Sequence, residues 1–336
     1  MKKIICIGSV TRDIFISLKE TKIIDTPEDL TSKQLMGFEF GAKIYADDFR
    51  EEVGGSAVNI GFGMLLCGIK PFVFSRTSKS ESGKWILKQI GKMKLKKNYM
   101  QRNGRKESET SVILTDKKHK DHVIFRTGDS VELFDVKKAL KKFREKVDLI
   151  YVGSQKTGWN ENFLAIIEFA GNKKAPVAFN PSSYQIENDA EKIVKFLSGV
   201  KVLLVNKDEA IELVRNVNGK ASNDVAYLSN QLLGKGCEIV VITDGSRGAY
   251  AADDKDLFHI PTKTVKVVDT VGAGDAFASG FLSSLLKDND LKMSLVWGVV
   301  NSAGAVSKCG ATKGLLTEKE LRNAGKKHLG SISKLR

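Results

Sequence analysis

The nonapeptide DTVGAGDAF, residues 269–277, places three small residues, Gly272, Ala273 and Gly274, directly before a carboxylate, Asp275. Downstream, Phe277, Phe281, Leu282, Leu285 and Leu286 fall on one stripe of a helix. The GAG turn therefore belongs at a helix N-terminus, where free backbone N–H groups and the helix dipole favour an anion. Small side chains let a ligand come close to that backbone. A carboxylate beside an anion site is repelled by it unless the two act in turn. Asp275 would take a proton from a hydroxyl, which attacks a phosphorus atom whose developing charge the N–H groups hold. The competing reading is structural, because an acidic residue in the first turn stabilises any helix. On this stretch alone the two readings are level.

Other polar groups sit where strands should end. Asp13 follows the apolar run KIICIGSV (3–10) and could bind vicinal hydroxyls or simply shape a turn. In GGSAVN (54–59), Gly54 and Gly55 permit close backbone approach, while Asn59 offers both a donor and an acceptor. A turn followed by a helix cap is the plainer account. Asn206 closes VLLVN and opens KDEAIELV, a position that suits a ligand contact or an N-cap. No GxxxxGK[ST] occurs, and GAGDAF lacks the third glycine of GxGxxG. Phosphate handling must therefore use another device.

The elements that position these groups read as a parallel sheet. The runs 3–10, 71–75, 148–154, 176–180, 202–206 and 238–243 are short, apolar and mostly β-branched, with helical patterns between them. Continuous rather than alternating runs mean strands covered on both faces by helices. In such sheets ligands bind outside the strands' carboxyl ends. Residues 13–50 and about 100–128 instead carry alternating fragments such as DIFISLKE and TSVILTD, which suggests a small projecting sheet.

With these motifs in order, DTVGAGDAFASGFL resembles the C-terminal signature of the ribokinase-like (PfkB) family of sugar and nucleoside kinases. GGSAVN resembles its glycine-pair and asparagine element, NKDE (206–209) its NxxE element, and TDGSRGAY (243–250) its nucleotide loop. The likeness covers roughly residues 3–316. It implies an α/β fold: a three-layer αβα ribokinase-like core with a mainly parallel central sheet plus a small β-sheet lid. The core would comprise residues 1–12, 51–99 and 129–336, and the lid 13–50 and 100–128.

The resemblance also implies roles. Asp275 becomes the catalytic base, with Gly272, Ala273 and Gly274 as anion hole. Asp13, Gly54, Gly55 and Asn59 bind substrate hydroxyls. Asn206, Thr243, Gly245, Ser246, Gly248 and Asn301 face the nucleotide, although a small-residue helix contact competes for Asn301. Glu209 serves Mg2+, through water, and Asp269 belongs to a loop that holds K+ in many relatives. ATP and Mg2+ would be the cofactors, and the family contains both monomers and dimers joined through the lid. Two departures touch substrate choice: Ser56 replaces the lysine of ribokinase-type GGKGAN, and SRTSKSESG keeps only Gly83 of a glycine- and Asp-bearing run. A sugar is the expected acceptor, with a nucleoside as the alternative. A ligand-binding regulator without catalysis is a poorer reading, since Asp275, the GAG turn and NxxE occur together.

Bulk properties agree with a folded enzyme. The 336 residues are 42% hydrophobic and 28% charged, with a formal net charge of +14. In GKMKLKKN and DVKKALKKFREK the bases alternate with apolar residues at helical spacing, so they read as solvated helix faces rather than a nucleic-acid groove. No aromatic–basic interleaving accompanies them. Cys6, Cys67, Cys237 and Cys309 lack metal-type spacing and read as buried thiols. MKKIICIGSVTRD is too short in its apolar part for a signal peptide or a membrane span, which points to the cytoplasm.

Overall fold

The computed structural model describes residues 1–19, 21–26, 28, 34–104, 107–118, 121–127, 134–156 and 158–336. Its strands in the first half are β1 Lys3–Ile7, β2 Thr11–Leu18, β3 Lys22–Asp25, β4 Gln34–Gly37, β5 Asp48–Gly54, β6 Lys70–Thr77, β7 Met100–Arg102, β8 Thr110–Asp116 and β9 Asp121–Arg126. The second half adds β10 Leu149–Val152, β11 Val177–Phe179, β12 Val202–Asn206, β13 Ile239–Thr243, β14 Ala249–Ala252, β15 Leu257–Ile260 and β16 Ser333–Lys334. The helices are α1 Ser56–Leu66, α2 Glu81–Lys92, α3 Val136–Lys141, α4 Trp159–Lys173 and α5 Ser183–Phe196. They continue with α6 Lys207–Asn218, α7 Val225–Leu233, α8 Ala273–Leu286, α9 Leu291–Val306 and α10 Glu318–His328.

The large sheet runs β16-β15-β14-β13-β12-β11-β10-β1-β6-β7, parallel from β13 to β7 and antiparallel beyond β13. Alternation along β1 shows why three layers form. Ile5 and Ile7 enter one hydrophobic core beneath α3–α7, while Ile4 and Cys6 enter a second beneath α1, α2, α8 and α9. Both faces are dry, which is why these strands read as unbroken apolar runs.

A smaller sheet has the order β5-β2-β8-β9, with β2 and β8 parallel and its other pairs antiparallel; β3 and β4 form a separate hairpin. β1 stops at Ile7 and β2 starts at Thr11, so Asp13 lies inside a strand of the smaller sheet rather than just past β1. β2 and β5 also straddle the expected boundaries at 12/13 and 50/51, and the boundary at 128/129 lies outside the described residues. Phe15 and Ile113 of this sheet pack on Val271 and Ala311 of the core, which brings the sheet onto the GAG turn.

In 135–146 the apolar side chains of Val136, Ala139, Leu140 and Phe143 are buried and the lysines exposed, as on a solvated helix face. In GKMKLKKN the helix ends at Lys92, and the remainder forms the turn toward β7. Cys6, Cys67 and Cys237 are buried free thiols; Cys309 is exposed, contrary to expectation, because it follows the end of α9 in a surface turn. Among the described residues no helix is long and apolar enough to cross a membrane.

Candidate active site

Gly272 is the N-cap of α8, with φ +77°. A Cβ there would stand 2.5 Å from Ala311 Cβ, so both the backbone and the packing require glycine. The helix then starts at Ala273 and presents Asp275 in its first turn. The Ala273 N–H already donates to Thr270 O at 3.2 Å, while Gly272 and Gly274 line the adjoining cleft.

Two clefts meet at Asp275. One, of about 540 Å³, includes Thr11, Asp13, Gly55 and Asn59 in its wall. The other, of about 240 Å³, includes Asn206, Thr243, Gly274 and Phe277. Asn180, Glu209, Gly272 and Asp275 belong to both. Both lie at the carboxyl ends of parallel strands, where this architecture opens crevices. Burial pushes the Asp275 carboxyl above its ordinary range; the Asn59 hydrogen bond and the positive charge of Arg126 oppose that rise. Asn59 Nδ2 donates to Asp275 Oδ2 at 2.8 Å. The buried Asn59 Oδ1 has no hydrogen-bond partner among the described residues.

Alternation along β2 puts Thr11, Asp13 and Phe15 on its buried face. Thr11 Oγ1 donates to Asp13 Oδ1 at 2.6 Å. A Cβ at Gly54 would stand 1.8 Å from Asp13 Oδ2, so that glycine makes room for the carboxylate itself. Burial raises Asp13 to about 6, against the lowering effect of hydrogen bonds from Thr11 and Ser111 and of the Arg126 charge.

The NxxE pair forms a reciprocal cap on α6. Asn206 Oδ1 accepts from Glu209 N at 2.8 Å, and Glu209 Oε2 accepts from Asn206 N at 2.9 Å. Among the described residues Glu209 Oε1 accepts from Ser183 Oγ alone, at 3.3 Å, and Glu209 lines both clefts. Burial raises this carboxyl too. Among the described residues no group of three or more His, Cys, Asp or Glu side chains could cage a metal. One half-engaged carboxylate at the junction fits a magnesium ion that arrives on nucleotide phosphates and keeps its waters. Thr243 ends β13 in the smaller cleft's wall, and Gly245, Ser246 and Gly248 form the turn that follows.

Two expectations need correction. Asn301 is 1% exposed, and its Nδ2 donates to Ala276 O and Ser279 Oγ while its Oδ1 accepts from Leu316 N. Buried and engaged at both ends, the amide lines neither cleft and ties α9 to α8. Asp269 is also buried, with Oδ1 accepting from Val271 N and Oδ2 from both Gly310 N and Arg50 Nη2, each at 3.0–3.1 Å. A guanidinium already faces this carboxylate, so the residues present do not fit a dissociable K+.

Three residues that sequence reasoning passed over also face the clefts. Arg126, at the end of β9, and Lys156, after β10, bring positive charge to the larger one. Asn180, at the end of β11, accepts from Tyr151 OH at 3.2 Å and donates to Leu204 O at 2.8 Å. Only its place at a strand's carboxyl end could have marked it.

Two clefts sharing one buried carboxylate have room for two ligands side by side. The chain matches the family described as pfkB family carbohydrate kinase across residues 1–318. It is 25% identical over 291 residues to an ATP-dependent 6-phosphofructokinase of Thermoanaerobacterium thermosaccharolyticum, covering 82% of this chain and 86% of the relative. It is 22% identical over 295 residues to a 5-dehydro-2-deoxygluconokinase of Bacillus subtilis, with 81% and 86% covered. Its fold is similar to the crystal structure of the Methanocaldococcus jannaschii nucleoside kinase, an archaeal member of the ribokinase family, with a TM-score of 0.74 at 20% identity. That match covers 98% of this chain and 99% of the other. The chain belongs to the PfkB family of carbohydrate kinases.

Proposed function

We propose that this kinase moves the γ-phosphoryl group of ATP to a hydroxyl of a small sugar, with Asp275 as general base and the Gly272–Gly274 turn as anion hole. The observation that carries this reading is the place of Asp275 at the meeting of the two clefts. ATP with magnesium supplies the phosphoryl group and neutralises part of its charge. Asp275 takes the proton of the acceptor hydroxyl as its oxygen bonds to phosphorus, and ADP departs with the bond it loses. Amides at the start of α8 face the charge that builds on the transferred group. Asp13 and the unpartnered Asn59 Oδ1 accept hydrogen bonds from other hydroxyls and hold the acceptor in line. Glu209, while it caps α6, would help hold the magnesium that neutralises phosphate charge.

Arg126 in the larger cleft favours a sugar that carries a phosphate or carboxylate, while Lys156 beside it is paired with Glu109 at 3.8 Å. The curated relatives point the same way, since their names refer to a phosphofructose and a deoxygluconate. A nucleoside acceptor is the second reading, supported by the nucleoside kinase of similar fold. ADP release from ATP and magnesium, measured over sugar phosphates, sugar acids, neutral sugars and nucleosides, separates these readings. Turnover on one compound that disappears in Asp275→Asn supports the kinase and names its class. Turnover that survives in the variant sinks the assignment of the base.

A further inference from the structure

The buried carboxylate of Asp269 opens the turn that carries the anion hole, and its Oδ1 fixes the Val271 N–H one residue before Gly272. Its positive partner comes from the smaller sheet. Arg50, on β5, reaches across 219 residues of sequence with Nη2 at 3.1 Å from Asp269 Oδ2. That guanidinium is held from several sides. It lies 4.4 Å from the centroid of the Phe15 ring, with Nη1 3.3 Å from Asp48 Oδ2 and Nε 3.6 Å from Glu52 Oε1. Glu52 is in turn paired with Lys313, beside Gly310, whose N–H shares Asp269 Oδ2. A second tie runs parallel to this one, His122 Nδ1 to Thr270 Oγ1 at 2.9 Å.

We infer that the Arg50 guanidinium replaces the dissociable monovalent cation that the loop's resemblance would imply. It acts as a tethered internal cation that orders residues 269–272 through Asp269. A free K+ at the same carboxylate would face a fixed like charge 3.1 Å from Asp269 Oδ2, which weakens its binding. Arg50 is thus a positioning residue: it touches neither acceptor nor nucleotide, and its effect passes through Asp269 and the Val271 backbone to Gly272. A misplaced anion hole loses rate rather than affinity, on the order of 10²-fold for a displacement near 1 Å.

The experiment compares potassium, sodium and tetramethylammonium chloride at equal ionic strength on wild type, Arg50→Ala and Arg50→Lys. The turnover arm rests on the kinase reading; the melting arm does not, since it needs no substrate. Wild-type kcat should stay within about twofold across the three salts, and wild-type Tm should show no potassium-specific rise. Arg50→Ala should lose kcat with KM little changed. It should then regain part of its rate and its Tm with potassium or with millimolar ethylguanidinium, but not with tetramethylammonium. Chemical rescue is a response that a merely structural role would not give. If Arg50→Ala does not fold, Arg50→Lys, which keeps the charge, should fold and stay indifferent to potassium. Stimulation of wild-type turnover by potassium on the order of tenfold, or a potassium-specific rise in wild-type Tm, would overturn the inference. An Arg50→Ala protein that folds yet answers to neither cation would overturn it equally. An enzyme inactive on every acceptor, but with the expected melting pattern, would count against the kinase reading and for the internal cation.

Discussion

Asn59 Nδ2 and Asp275 Oδ2 stand 2.8 Å apart, joining the first turn of α1 to the first turn of α8 across 216 residues of sequence. The hydrogen bond orients the Asp275 carboxyl and holds down a group that burial raises. The other end of the Asn59 amide has no partner among the described residues. Under the proposed reading, this one side chain would couple acceptor binding to the state of the base.

Asp275→Asn should lower kcat by on the order of 10²–10⁴-fold with little change in KM for either substrate. The neutral amide keeps the shape of the site but accepts no proton. Steady-state kinetics on the acceptor found by the panel checks this, and a loss under tenfold would remove Asp275 from the role of base.

The pH profile carries its own sign. A base works only when ionised, and burial raises Asp275, so kcat/KM should climb with pH through a midpoint above the ordinary 3.8 and then level off. Asn59→Ala removes a hydrogen bond that lowers this carboxyl. Its acid limb should therefore move to higher pH; an unmoved or lowered limb contradicts the coupling.

Asp13 is held at about 6 in place of 3.8. A group raised by folding supports the fold below its unfolded value, and that support is lost as pH rises through its folded one. Keeping Asp13 ionised near neutral pH costs folding on the order of 3 kcal/mol. Asp13→Asn should melt higher than wild type at neutral pH, with the gap closing as pH falls from about 6 toward 4. The same variant should bind acceptor more weakly, and calorimetry with thermal melts tests both halves.

Glu209→Gln separates capping from charge, because glutamine can complete the same box. Stability should stay within about 0.5 kcal/mol of wild type while the magnesium concentration needed for half-maximal rate rises. An unchanged magnesium requirement would leave Glu209 as a cap alone.

Asn301→Ala should cost about 1–3 kcal/mol by leaving buried partners unsatisfied, with KM for ATP unchanged. A raised KM with unchanged stability would restore it to the nucleotide site.

The layers were legible from the sequence because strands buried on both faces must be apolar throughout, as IICI and IVVI are. The start of α8 was equally legible from GAG and the stripe after it. The end of β1 is the misleading point: GSV reads as more strand, whereas the chain leaves β1 at Ile7 and enters the smaller sheet at Thr11, two residues before the expected start at Asp13. Arg50 and Arg126 were illegible as site residues. Each is an ordinary strand arginine until pairing within the smaller sheet and its packing on Val271 carry it to the core. Asn301 looked available because its neighbours are small; those small residues are what let α9 approach α8 and enclose it.

The order of strands in the large sheet has a consequence for biosynthesis. β1 is made first but lies inside the sheet, between β6 at residues 70–77 and β10 at 149–152. At common elongation rates, on the order of 10 s pass between the two partners. Throughout that interval the nascent chain carries the IICI segment with one edge unpaired, a template for another chain's strand. Closing that edge falls to residues 149–152 alone, a task separate from anything the clefts around Asp275 require.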